Sequence, residues 1–279
     1  MKVSDFLTAT AATVKGVVKI VVQSRRCRIG VGRSGRIVIM GNGPSLSANI
    51  SGDADFLRNS TTMAVNFAAN APEFATLSPD CYILADPHFF RSADDENVAR
   101  LWKSLSAVQW PMILFVPARE RSRAISLLGA GSKVEVATFN PVGVEGFKVL
   151  CHLAYRMNLA MPRPRNVLIP AIMVAMAMGY GEIVILGADH SWMKTLSVND
   201  DNEVVSVQTH FYKESGKEEE RVRHEYRGIR LHQIVDSFAV AFRSYHLIRA
   251  YADSRGVRII NATPGSFIDA FQRARICDL

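Results

Sequence analysis

Short apolar runs broken by glycine or polar turns recur along most of this chain. The run Arg36-Ile37-Val38-Ile39-Met40 stops at a glycine, and comparable runs occupy 62–67, 81–85, 112–116, 134–138, 182–186 and 257–261. Such runs are too short for buried helices and lack the polar alternation of a one-sided sheet, so they read as strands buried on both faces. Helix-period patterns fall between them at 94–105, 118–128 and 231–254. Residues 166–178 are almost all small or apolar and read as a helix buried all round, ended by Gly179-Tyr180-Gly181. Strands alternating with helices imply an α/β fold: a Rossmann-like, doubly wound, mostly parallel sheet.

Two stretches depart from that rhythm. Residues 3–26 read as a basic amphipathic helix, with Leu7, Ala11, Val14, Val18 and Val21 on one stripe and Lys15 and Lys19 beside it. That stripe can pack on the body of the protein or lie on an anionic membrane surface. Residues 190–230 are polar and long, with a turn at Asn199-Asp200-Asp201-Asn202, and read as a lid insertion. The expected organisation is a basic N-terminal helix over 1–35 and a nucleotide-binding catalytic domain over 36–279, with the lid at about 190–230.

Length and composition permit this fold. With 279 residues, 48% hydrophobic and 21% charged, the chain can bury a large core without staples. The net charge of +7 sits entirely in residues 1–36, where eight Lys and Arg face Asp5 alone. A balanced remainder argues against a nucleic-acid groove. Cys27, Cys81, Cys151 and Cys277 are widely spaced, form no zinc motif and suit a reducing compartment. No leader-like segment or run of 18 apolar residues is evident. A cytoplasmic protein, able to work at the inner membrane surface, is the expectation.

The candidate chemistry gathers at strand ends. Gly41-Asn42-Gly43-Pro44-Ser45-Leu46 follows the first strand, where α/β proteins bind ligands. Its glycines can bring backbone amides close to a phosphate, and Ser45 can cap the next helix. The same residues can equally form a plain tight turn; they match neither a Walker loop nor a GxGxxG fingerprint. Asn66, Asp86-Pro87-His88, Asp189-His190 and Asn261-Ala262-Thr263 also stand at strand ends and can converge on one crevice. In the lid, His210 lies among Gln208, Thr209, Phe211 and Tyr212 and suits a general base; His88 and His190 are its rivals. Asp86, Asp189 and His190 form only a weak candidate set for a divalent cation.

The segment Ile37-Val38-Ile39-Met40-Gly41-Asn42-Gly43-Pro44-Ser45-Leu46 resembles the small bacterial sialyltransferases, the Maf flagellin glycosyltransferases and the archaeal 6-hydroxymethylpterin pyrophosphokinases of one superfamily. The resemblance continues at Val65-Asn66, across 171–189 and at 261–271. It departs at Asp86-Pro87, where those sialyltransferases have Asn-Pro, at Asn166-Val167-Leu168, where they have a Thr-Ser-Gly stretch, and at His190-Ser191-Trp192, where they have a tyrosine. The resemblance implies a glycosyltransferase that moves a nonulosonic acid from a CMP-type donor to a glycan or lipid-linked acceptor, with no essential metal. It implies His210 as base and Tyr212 as lid contact. Gly41, Asn42, Gly43, Ser45, Asn66, Asp86, Asn166, Gly187 and Asp189 become nucleotide contacts, and His190 and Trp192 contacts of the lid and acceptor. A homo-oligomer fits the same family. The alternatives are an ATP- and Mg²⁺-dependent pyrophosphokinase acting on a pterin-like alcohol, and a non-catalytic nucleotide-binding protein of a glycan locus.

Overall fold

A computed structural model describes residues 3–27, 29–92, 94–205 and 228–279. Its strands are β1 Arg36–Met40, β2 Thr61–Val65, β3 Cys81–Ile83, β4 Met112–Pro117, β5 Val134–Phe139, β6 Glu182–Leu186, β7 Ser197–Val198, β8 Val204–Val205, β9 Arg258–Asn261 and β10 Gln272–Arg273. Eight of them form one sheet in the order β10-β9-β6-β1-β2-β3-β4-β5, and every pairing in it is parallel. The remaining pair, β7 and β8, makes a separate antiparallel ribbon whose strands are joined by the 199–202 turn.

The apolar runs form strands because both faces of the sheet are covered. One core layer holds Ile37, Ile39, Met63, Ile83, Ile183 and Ile185 under helix Leu168–Met178 and helix Leu231–Arg255. The opposite layer holds Val38, Met40, Tyr82, Leu114, Val184 and Ile260 under helix Glu96–Ser106 and its neighbours. Alternate residues of one strand thus serve opposite layers, as the pleat requires. Helix Leu168–Met178 is buried at ten of its eleven positions, and Gly179 closes it in the left-handed conformation at φ 105°. Asn166 and Val167, expected inside this helix, precede it; the Asn166 side chain accepts the Leu168 N–H instead (3.1 Å). Helix Lys148–Arg156 has no counterpart among the expected elements.

From β1 the chain winds outward through β2 to β5, then returns to place β6 against the other side of β1. The winding direction therefore reverses between β1 and β6. A crevice opens at the carboxyl ends of strands at such a point.

The N-terminal helix, Val3–Gln23, is seated on the body, but not through its apolar stripe. The stripe Leu7, Val14, Val18 and Val21 faces outward, with exposures of 62%, 59%, 57% and 75%. The face turned to the body carries Ala9, Ala12, Thr13, Gly16 and Ile20. Small residues win that side because the seat is close: a Cβ on Gly16 would lie 3.4 Å from the Val144 Cβ. Thr13 Oγ1 accepts the Phe147 N–H (2.9 Å), and Phe6 rests against Phe147.

Ile172 is fully buried under the sheet. Ile172→Ala should lower unfolding free energy by about 2–5 kcal/mol through lost burial and a residual cavity, measured by urea denaturation.

Candidate functional site

Two loops define the crevice floor. Gly41 N–H donates to Leu186 O (2.8 Å), and Gly43 N–H donates to Gly187 O (2.7 Å). The loops after β1 and β6 are laced together at van der Waals distance. An added Cβ on Gly41 would sit 2.5 Å from Gly187 O, and one on Gly43 1.9 Å from Asp189 Oδ2. Gly187 has φ 61° and its own Cβ would meet Gly41 O at 2.6 Å. The glycines are needed for this mutual approach. The Gly41 and Gly43 amides, expected to face a ligand, are spent on the neighbouring loop. Ser45 does not cap the helix that follows; its hydroxyl donates to Asp189 Oδ2 (2.8 Å).

Above this floor lies a cavity of about 530 Å³. Gly41, Asn42, Gly43, Asn66, Asp86, Asn166, Gly187, Asp189, His190 and Trp192 all line it. Strand-end reasoning thus located a real convergence. Asn66 adopts φ 51°, a conformation Asn tolerates better than most residues, and its carbonyl accepts the Tyr82 hydroxyl. Asp86 Oδ1 accepts the His88 N–H (2.8 Å), an Asx turn that leaves the residue on the crevice wall.

Other expected members lie elsewhere. His88 is outside the crevice, with Nδ1 against Ser92 Oγ (2.9 Å) and Nε2 facing Asp95 (3.4 Å). Asn261 and Thr263 point inward: Asn261 bonds Ser266 and Ile268, and Thr263 bonds Ile185 and Ala188. They fasten the 262–271 segment beneath the site. His210 and Tyr212 lie outside the described residues, as does most of the expected lid. Among the described residues no three His, Cys, Asp or Glu side chains are grouped to hold a metal ion.

A buried relay forms one wall. Asn166 Oδ1 accepts both the Leu168 N–H and the Tyr245 hydroxyl (2.9 Å). The Tyr245 proton is therefore committed, so His190 Nε2, 2.6 Å away, must be the donor to Tyr245. His190 is a neutral imidazole with its proton on Nε2. Burial pushes its pKa down to about 3. Its ring stacks on Trp192 at 4.2 Å between centroids, and Trp192 packs on Phe238 at 5.3 Å. Burial disfavours the protonated ring, so His190 stands as an uncharged wall of the crevice.

The structure adds residues that strand-end reasoning missed. Arg165, Ser237 and Phe238 line the crevice and also a second cavity of about 700 Å³, which holds Arg163 and Arg243 as well. Arg163 pairs with Glu145 (2.9 Å). Arg165 and Arg243 have no carboxylate partner among the described residues. The visible signal was Arg163-Pro164-Arg165 ahead of an apolar helix. Asn166 Nδ2 is buried there and also has no partner among the described residues.

No protein-family profile matches the chain, and no curated protein matches it in sequence. A solved structure does match: the MAf glycosyltransferase from Magnetospirillum magneticum AMB-1, with TM-score 0.52 and 11% identity. The match covers 96% of this chain and 38% of that one. The likeness is one of fold, and this chain spans well under half the length of that enzyme.

Two tests follow from the geometry. Gly43→Ala should separate the two loops, cost at least about 1–3 kcal/mol and lower the melting temperature. For His190, the folded pKa lies below the ordinary 6.5, so its contribution to stability is complete above about pH 6.5 and fades as pH falls toward 3. His190→Gln should flatten the melting temperature between pH 6.5 and 4 relative to the parent; an unchanged slope removes His190 as its source.

Proposed function

We propose that this protein transfers a sugar from a nucleotide donor seated in the crevice between the ends of β1 and β6. The carrying observation is Asn166: a buried amide N–H₂ without a partner among the described residues, at the start of an apolar helix, next to Arg165 in sequence and lining the same crevice as Gly41, Asn42 and Gly43. A helix N-terminus favours anions, and Arg165 adds a full positive charge. The donor phosphate belongs there. The cavity volume suits one nucleotide.

In the reaction the acceptor hydroxyl oxygen attacks the anomeric carbon. The bond from that carbon to the phosphate oxygen breaks, and the phosphate departs with the electron pair. A base removes the hydroxyl proton. Arg165 and the helix N-terminus stabilise the charge growing on the phosphate. Of the described histidines only His190 lines the crevice, and it stays neutral and weakly basic. The assignment of His210 as the base, with Tyr212 as a lid contact, rests on the resemblance carried by the GNGPSL segment and the segment order. The fold likeness to a glycosyltransferase supports the reaction class; CMP as the nucleotide and a nonulosonic acid as the sugar rest on the GNGPSL segment and the segment order.

Thermal shifts with CMP, UDP, GDP and ATP, each with Mg²⁺ and with chelator, test this reading. A ligand at 100 times its Kd should stabilise by about 2.7 kcal/mol. A chelator-resistant shift with CMP is expected, lost by roughly tenfold or more in affinity in Asn166→Leu. His210→Ala should keep the shift and lose transfer. A shift with ATP and Mg²⁺ alone would replace this reading with the pyrophosphokinase one.

A further inference from the structure

The outward stripe of the N-terminal helix has no cover in the described chain. Val3, Leu7, Val14, Val17, Val18, Val21 and Val22 are all more than half exposed. Helix Lys148–Arg156 begins directly after the 143–147 segment on which the N-terminal helix sits, and it adds exposed Val149, Leu150 and Leu153, with Met157 just beyond. These two neighbouring elements carry most of the large apolar side chains that the described surface exposes. Isolated exposed apolar residues are ordinary, but a sustained apolar stripe on a seated helix is not.

Charge selects the occupant. Besides Lys19, whose ammonium is turned to Gly143 O, the same two helices hold Lys15, Lys148 and Arg156, followed by Arg25 and Arg26, against Asp5 as their single acidic residue. A second copy docking here would bring a rim of the same sign. An anionic lipid surface complements it: apolar side chains enter the acyl boundary while ammonium and guanidinium groups meet headgroups. Among the described residues no helix is long and apolar enough to cross a membrane, so this helix would lie in the interface plane. The body-facing side is fixed by Gly16 on Val144, by Thr13 on Phe147 and by the Lys19 ammonium donating to Gly143 O (3.4 Å). The apolar side is therefore presented without unfolding.

We infer that the outward face of helix Val3–Gln23, together with the exposed apolar side of helix Lys148–Arg156, docks the protein on anionic lipid bilayers. The inference needs no donor or acceptor and stands apart from the sugar-transfer reading.

Co-sedimentation of the full chain with phosphatidylcholine vesicles, neutral or containing about one-third phosphatidylglycerol, tests it. Binding is expected on the anionic vesicles and should weaken at about 0.5 M salt. Val14→Asp/Val18→Asp should cut partitioning by at least about tenfold while leaving the melting temperature unchanged, since both positions point outward. Removing Lys15, Arg26 or Lys148 as alanine should weaken anionic binding about fivefold each. Absence of binding to anionic vesicles, or binding that survives Val14→Asp/Val18→Asp, overturns the inference. A dimer in sedimentation equilibrium that the same pair abolishes assigns the face to a second copy and overturns it equally.

Discussion

The close approach of Gly41–Gly43 to Gly187–Asp189 is the constraint on which the site depends. Parallel strands β1 and β6 deliver their following loops to one place, and four backbone hydrogen-bonding groups are satisfied between those loops. No side chain fits between them, because a Cβ at any of three glycines would lie under 3 Å from a backbone or carboxylate oxygen. Asp189 is held by Ser45 from the opposite loop, so the acid is positioned rather than free to swing. The glycine-rich turn makes the floor, and Asn66, Asp86, Asn166 and Arg165 line the crevice around it.

The far wall depends on a second device. Helix Leu168–Met178 is so apolar that its burial is assured, and its first orphan amide is met by Asn166. Asn166 then takes the Tyr245 hydroxyl, and Tyr245 takes the His190 N–H. Three elements are thereby tied at one corner: the buried helix, helix Leu231–Arg255 and the β6 exit. The direction of each bond follows from the first, since an amide oxygen can only accept. This order commits the buried polar groups inward and leaves the Asn166 N–H₂ without a partner among the described residues.

Much of this was legible in the sequence, for a physical reason. Strands buried on both faces write themselves as uninterrupted apolar runs, and β1 and β6 matched their runs residue for residue. Strand ends were legible because polar and turn residues must follow such runs. Direction was not. Asn66 and Asn261 both end strands, yet one lines the crevice and the other fastens a loop, because the backbone after each strand turns differently. Periodicity likewise revealed the stripe Leu7, Ala11, Val14, Val18 and Val21 but not what it faces. Apolar residues at helical spacing record that one side of a helix prefers to leave water, not which surface receives it. The neighbouring stripe of Ala9, Ala12, Thr13 and Gly16 was equally visible, and close helix seating requires that kind of residue.

The outward helix and the crevice share a continuous piece of structure. Lys19 reaches Gly143, Gly143 bridges to Met161, and the chain from Met161 runs through Arg163, Pro164 and Arg165 to Asn166. Glu145, within the seat of the N-terminal helix, is the ion-pair partner of Arg163 at the second cavity. The segment that fixes the apolar face is thus continuous with the segment that carries Arg165 on the crevice wall. If both proposals hold, the consequence is geometric: the bilayer that receives Val14 and Val18 is held at a fixed offset from Arg165, and an acceptor anchored in that bilayer can be offered to a donor phosphate without a diffusing partner. Binding the surface would then supply orientation rather than affinity alone, the kind of contribution that positioning makes to bimolecular transfer.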